Sequence, residues 1–232
     1  MDDRVMLFSG GMDCFIAWRL LHRPPAVYFN LGHRYAIDEM VGIHRIVKHF
    51  PHADIRIESR LRLGSFEDPA GSYIPFRNLL MLLWAHQAHP AHAYVIGQVL
   101  EWQTDKNAGF YRQTERTFAR LGKRPAAIYA PLARMSKTDA VAAFLRAGHP
   151  AHELTDLTRS CVLPGPIQCG ECPNCMFRWI AFKNNGIREP VLKVPTMDTF
   201  TKYLKRKGAG FALRHPMVFA SRLAQARRAF CT

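Results

Sequence analysis

Four cysteines have the spacing of a metal site: Cys161, then Cys169-Gly170-Glu171-Cys172-Pro173-Asn174-Cys175. Thiolates are soft ligands, and four of them fill the tetrahedral shell of a zinc ion. A zinc site with no open position pins a loop and does no chemistry. An iron–sulfur cluster and redox thiols are alternatives that the spacing leaves open. A second constellation stands at the other end of the chain, where the apolar residues 5–8 run into Ser9-Gly10-Gly11-Met12-Asp13-Cys14. Residues 15–21 then have helical character. Strand, glycine turn and helix together offer backbone N–H groups and a helix N-terminus to an anion. The glycines let phosphate oxygens approach without a Cβ in the way. The stretch lacks the lysine of the longer phosphate loop and is a different device. Cys14 at a helix N-terminus is either a thiol of lowered pKa or simply a small residue of the turn.

The elements that must position these groups alternate along the chain. Strands are expected at 5–8, 26–31, 53–58, 93–97 and 126–131. Helices are expected at 15–21, 33–50, 77–89, 110–121 and 136–147, the last opening on Ser136 as its cap. Residues 61–72 read as a loop rich in Gly, Pro and Asp, and 99–109 as a polar, irregular stretch. The pattern predicts an α/β fold with a doubly wound, mainly parallel sheet. Ligands then bind at the carboxyl ends of the strands, at 9–13, 32–35, 97–105 and 131–137. Three units are expected: an α/β nucleotide domain at 1–155, a cysteine segment at 156–188 and a basic, helical extension at 189–232.

The 232 residues carry 32 Lys and Arg against 18 Asp and Glu, a formal charge of +14. That balance points to an anionic partner: a nucleotide, a nucleic acid or an acidic protein. The extension concentrates it in Lys202, Lys205, Arg206, Lys207, Arg222, Arg227 and Arg228. These form either the solvated face of a docked helix or a surface for an acidic protein or RNA. No run is apolar for the length of a membrane span. The start, Met1-Asp2-Asp3-Arg4, followed by apolar residues broken at Gly10, Gly11 and Asp13, does not read as a signal peptide. The expected location is the cytoplasm, where clustered cysteines hold metal more often than disulfides.

The short glycine loop resembles the pyrophosphate (PP) loop of the ATP-pyrophosphatase superfamily, with its adenine-nucleotide α-hydrolase-like fold. With the motifs that follow, the chain resembles the 7-cyano-7-deazaguanine synthase (QueC) family over residues 4–188. Those motifs are Gly32-His33-Arg34-Tyr35 with Glu39, Ile74-Pro75-Phe76-Arg77-Asn78 and Pro131-Leu132 with Ser136-Lys137. Ser160, the four cysteines, Arg178 and Ala181-Phe182 complete the set. The resemblance implies an ATP-dependent C–N ligase that adenylates the carboxylate of 7-carboxy-7-deazaguanine and releases pyrophosphate. It then passes the acyl group to ammonia or an amine, giving an amide or a conjugate on a macromolecule, and a second ATP-dependent activation dehydrates the amide to the nitrile. The implied cofactors are ATP, Mg2+ and Zn2+, and homodimerisation is implied as well. Asp13, Lys137 and Arg77 take the catalytic places: Asp13 toward Mg2+, the two cations toward phosphate. Ser9, Gly10, Gly11, Met12, Asp13, Cys14, Gly32, Arg34, Asn78 and Gly97 take the nucleotide-binding places, and Cys161, Cys169, Cys172 and Cys175 hold zinc.

Three departures bear on the substrate. Cys14 replaces a hydroxyl residue of the loop, and Tyr35 stands where the family has histidine, with His33 nearby. The family's D-Y-S-x-Y-P-D-C-R segment, which faces the base, is replaced at 101–111. Two other functions fit the same loop: a tRNA-modifying PP-loop enzyme (a thiolase or lysidine-type ligase), and a non-catalytic relative that binds nucleotide and docks a partner.

Overall fold

The computed structural model describes residues 3–69, 73–100, 105–208 and 210–231. At its centre lie five parallel strands: β1 (Arg4–Leu7), β2 (Ala26–Phe29), β3 (Ile55–Glu58), β4 (Ala93–Ile96) and β5 (Ala127–Tyr129). Their order is β3-β2-β1-β4-β5. The connections run through α1 (Met12–Leu20), α2 (Ala36–His49), α3 (Arg77–Ala88) and α4 (Ala108–Arg120), and α5 (Lys137–Arg146) follows β5. The doubly wound α/β fold expected from the alternation is the fold found. β1 and β4 flank the point where the winding reverses, and they pair with Leu7 beside Ile96. The loops leaving these two strands therefore part and open a crevice.

Every residue of β2 is buried, as a parallel strand covered on both faces requires. Met6, Ala26, Tyr28 and Val95 meet Phe15 and Trp18 of α1, Ile43 and Ile46 of α2, and Phe144 of α5. Leu7, Val27, Phe29 and Tyr94 meet Leu82 and Ala85 of α3 and Phe118 of α4. Trp18 is fully buried, and its Nε1–H donates to the Pro24 carbonyl at 3.0 Å. Its truncation to alanine costs about 3–5 kcal/mol by the lost contacts and the cavity left behind.

The first helix starts three residues before the expected 15–21. It begins at Met12, directly after the glycine turn, so Met12, Asp13 and Cys14 belong to its first turn. Gly10 makes this possible with φ +68°, a backbone region that a Cβ penalises. Ser136 caps α5 as expected, in a reciprocal pair with Asp139.

Four helices have no separate expectation in the sequence: α6 (Ala151–Leu157), α7 (Pro173–Lys183), α8 (Met197–Lys207) and α9 (Phe211–Arg214), while α10 (Pro216–Phe230) contains the docked helix expected around Arg222, Arg227 and Arg228. α7 opens inside the cysteine cluster, with Cys172 as its cap and Pro173 in its first turn. Its Ala181 and Phe182 enter the core beneath the sheet. Its Met176, Phe177 and Ile180 pack against Phe200, Tyr203, Ala226 and Ala229 of α8 and α10. The C-terminal extension is thus folded onto α7. Among the described residues no helix is long and apolar enough to cross a membrane. Residues 70–72 of the expected loop and 101–104 of the expected irregular stretch lie outside the described residues.

Candidate active site and metal centre

The glycine turn is tied together locally. The Gly11 amide donates to Ser9 Oγ at 3.3 Å, and the Arg159 amide donates to the Gly10 carbonyl at 3.4 Å. Gly97, at the end of β4, lies so near α1 that an added Cβ would stand 2.4 Å from Cys14 Cα. Only glycine permits that approach, which brings the two parted loops together. Asp13, in the first turn of α1, meets Lys137, the first residue of α5, through its Oδ2 and the lysine Nζ. The other carboxylate oxygen, Oδ1, is buried and has no hydrogen-bond partner. An orphaned buried carboxylate oxygen asks for a cation or donor, so Asp13 fits the Mg2+ ligand expected of it.

Cys14 does not behave as an activated thiol. Ser9 Oγ donates to its Sγ at 3.3 Å, and the sulfur lies 3.9 Å from the Leu7 carbonyl and 3.8 Å from that of Gly97. Burial pushes its pKa up, and this outweighs the lowering expected at a helix N-terminus. It serves as a small packing residue of the turn.

The crevice holds a cavity of about 440 Å3, a size suited to a small-molecule ligand. Ser9, Gly11, Met12, Asp13, Cys14, Arg77, Asn78, Gly97 and Lys137 all line it. Gly10 faces Ile43 behind the turn instead. Gly32 and Arg34 lie outside the lining. Arg34 donates from Nε to Glu67 at 2.8 Å and from Nη1 and Nη2 to the carbonyls of Pro69 and Asp68 at 2.9 and 2.7 Å. It fastens the loop around residue 67 and is committed away from the cavity expected for it.

Away from Asp13 the walls are side chains. Tyr28 donates its hydroxyl to Glu39 Oε2 at 3.1 Å, and His33 Nε2 lies 3.1 Å from the same oxygen. Neither ring nitrogen of His33 makes a hydrogen bond, although the residue is 91% buried. Burial pushes the Tyr28 phenol well up, reinforced by the Glu39 charge. Burial also raises Tyr35, and Arg77 beside it pulls the other way. Asp105 and Lys106, inside the stretch that departs from the family pattern, close this end. Asn78 Nδ2 donates to Asp105 Oδ2 at 2.8 Å. Gln98 donates to the Lys106 carbonyl and accepts from the Tyr111 hydroxyl. Tyr28, Gln98, Asp105 and Lys106 were not singled out as site residues. A buried strand residue such as Tyr28 shows no polar signal in a sequence, whereas the charged pair Asp105-Lys106 just after a strand end was a cue within reach.

The four cysteines converge. Their sulfurs all lie within 4.8 Å of one another. Zn–S bonds of about 2.3 Å place tetrahedral sulfurs about 3.8 Å apart, and Cys169 and Cys175 stand at 3.8 Å. The amides of Leu163, Cys172 and Cys175 donate to the sulfurs of Cys161, Cys169 and Cys172 at 3.4, 3.3 and 3.4 Å. Such donors suit thiolates. The S–H groups of Cys172 and Cys175 pull Cys161 far down, while Cys172 and Cys175 are pushed up in turn. Four thiolates this close need a cation between them. Cys161 and Ser160 also line the large cavity, so the cysteine cluster adjoins the crevice.

Arg178 fixes that junction. It is fully buried on α7 and donates to Glu189 at 2.6 Å, to the Thr158 hydroxyl at 2.5 Å and to the Leu154 carbonyl at 2.7 Å. Burial raises the Glu189 pKa and Arg178 opposes the rise. The pair clamps the strand of chain that delivers Ser160 and Cys161.

Residues 50–186 match the sequence profile of Queuosine biosynthesis protein QueC. The chain belongs to the QueC family. Similar curated relatives include the 7-cyano-7-deazaguanine synthases of Chlorobaculum tepidum and Methanosarcina mazei. The first is 30% identical over 220 residues, covering 81% of this chain and 94% of the relative. The second is 25% identical over 228 residues, covering 82% and 97%. Among solved structures, the U34-tRNA thiolase NcsA from Methanococcus maripaludis with its [4Fe-4S] cluster aligns with TM-score 0.42 at 14% identity, covering 96% of this chain and 71% of that one. That likeness is too loose to carry an argument. Membership places the chain among the ATP-dependent PP-loop enzymes of QueC type.

Proposed function

We propose that the protein adenylates the carboxylate of a 7-deazaguanine-type substrate, 7-carboxy-7-deazaguanine, and transfers the acyl group to ammonia or an amine. The observation that carries this reading is one cavity with two unlike ends. Asp13, Lys137 and the amides of the glycine turn form one, and an aromatic and carboxylate wall forms the other. At the first end the Met12 amide meets the departing pyrophosphate, and the Gly11 amide and Ser9 hydroxyl turn to it from their contacts within the turn. Lys137 and Arg77 neutralise its growing charge, which lowers the barrier most where donors are already in place. Asp13 would hold Mg2+ through its unpartnered Oδ1, and the ion would supply further charge neutralisation.

The substrate carboxylate attacks the α-phosphorus of ATP, the bond to the β-phosphate oxygen breaks, and acyl-adenylate and pyrophosphate result. The nitrogen nucleophile then adds at the acyl carbon and loses a proton, and AMP leaves with the former carboxylate oxygen. At the second end Asp105, steadied by Asn78, offers a carboxylate to the ring N–H and amino group of a guanine-type base. The buried Nδ1 of His33, which has no partner while Nε2 faces Glu39, marks a further place for a polar ligand. Cys161, Cys169, Cys172 and Cys175 would hold a single zinc ion. Their sulfurs stand closer together than ligands spread around a four-iron cube, which supports zinc over a cluster. The site is closed and structural.

The test is exchange of labelled pyrophosphate into Mg·ATP. Exchange that needs 7-carboxy-7-deazaguanine and no amine supports acyl adenylation. Exchange indifferent to the acid, or driven by tRNA, assigns the cavity to another substrate. Metal analysis yielding about one zinc per chain supports the second assignment, and iron with acid-labile sulfide opposes it.

A further inference from the structure

The C-terminal helix reaches the active site from behind. Gln225 of α10 accepts from the Thr138 hydroxyl at 2.9 Å and from the Thr138 amide at 3.4 Å. Thr138 is the second residue of α5 and the neighbour of Lys137. Its amide is one of the N-terminal N–H groups that a helix leaves without an internal partner. The Gln225 amide is itself oriented, because Nε2 donates to the Ser221 carbonyl and hydroxyl, both at 2.9 Å. From the turn that ends α7, Asn184 donates to the Thr138 hydroxyl at 3.4 Å and Asn185 to the Thr138 carbonyl at 3.1 Å. A second cavity, of about 20 Å3, lies between Lys137 and α10 and is walled by Phe177, Ser221, Arg222 and Gln225 among others. Lys137 thus has the nucleotide cavity on one side and α10 on the other. The helix is firmly seated: buried Arg222 lies 4.5 Å over the Phe177 ring and bonds the Tyr203 hydroxyl. α8, α9 and α10 all lie beyond the residues that match the family profile.

We propose that Gln225 is a positioning residue for Lys137, so that the C-terminal helix is a working part of the ATP site. By holding the first turn of α5, Gln225 sets where the lysine ammonium meets Asp13 and phosphate. By occupying the Thr138 amide, it also leaves the anion site to α1 alone. The proposal rests on the assignment of Lys137 to phosphate made above.

The experiment is a double-mutant cycle of Gln225→Ala and Lys137→Ala in the full chain, read as acid-dependent AMP formation and as the calorimetric affinity for Mg·ATP. Gln225→Ala is expected to lower kcat/KM for ATP about tenfold, the scale of a slightly misplaced catalytic group, and to weaken ATP binding about threefold. In the Lys137→Ala background it has no further effect, because the two losses share one cause. Arg228→Ala removes another contact of α10, to the Asn184 carbonyl at 3.2 Å, and leaves the rate within about twofold of wild type. If Gln225→Ala does not fold, Gln225→Met keeps the volume without the acceptor oxygen. A rate within twofold of wild type for the Gln225 variant, or losses that multiply in the double variant, overturns the proposal. If wild type binds ATP but forms no AMP with the acid, the substrate reading fails alone, and the same cycle is decided by the binding constants.

Discussion

The two ends of the cavity are built in different ways. The end we assign to phosphate is mainly backbone, delivered by the contiguous residues 9–14 and completed from a distance by Lys137. The acceptor end is side chains from separate segments: Tyr28 and Glu39, His33 and Tyr35, Asn78 with Asp105, and Gln98 with Lys106. Backbone amides serve any residue type that permits the turn, so the first construction keeps one chemistry. Side-chain pairs can be exchanged piece by piece, so the second is where a family member changes its substrate. Tyr35, and Asp105 and Lys106 of the replaced stretch, all fall at that second end.

The sharpest way to break this contrast is at Asp13. Asp13→Ala is expected to reduce AMP formation by about 10^2–10^3-fold with a small change in Tm, since its Oδ1 has no partner to lose and the part-exposed Oδ2 pair with Lys137 contributes about 1 kcal/mol or less. Thermal melts and AMP assays on one preparation check both halves, and a variant that fails to fold contradicts the assignment. The opposite signature belongs to Arg178. Removing one partner of a buried ion pair costs about 3–5 kcal/mol, so Arg178→Met should lower Tm by roughly 10 °C, as scanning calorimetry would show. Asp105→Ala addresses the acceptor end alone: KM for the acid should rise about tenfold while KM for ATP stays put. Equal changes in both constants would erase the distinction between the ends. The smallest effect is expected from Cys14→Ser. Its thiol is already hydrogen-bonded within the turn, so kcat should stay within about threefold of wild type. A larger gain would mean that the missing hydroxyl matters to phosphate.

The same contrast explains what was legible in the sequence. The order of strands and helices, the glycine turn, the Ser136 cap and the four cysteines all have local signals: periodicity, turn chemistry and ligand spacing. The start of α1 was placed late because Met12 and Asp13 show no periodicity of their own, and the short α6 lacks a full amphipathic repeat. α7 was obscured because its first turn doubles as a metal-binding motif. Arg34 is expected among the nucleotide-binding residues, but its partners Glu67, Asp68 and Pro69 come from a loop some thirty residues on. Gln225 reaches Thr138 across 87 residues, and no local pattern announces such a contact.

The central claim is that one cavity joins ATP to a deazaguanine carboxylate. Its most direct test incubates the purified protein with Mg·ATP and 7-carboxy-7-deazaguanine, with and without ammonium, and follows AMP together with the mass of the small molecule. The account predicts AMP only when the acid is present, and with ammonium a product of amide or nitrile mass. AMP formed equally without the acid, or none with it while ATP binds, would contradict the account and move the substrate away from the deazapurines.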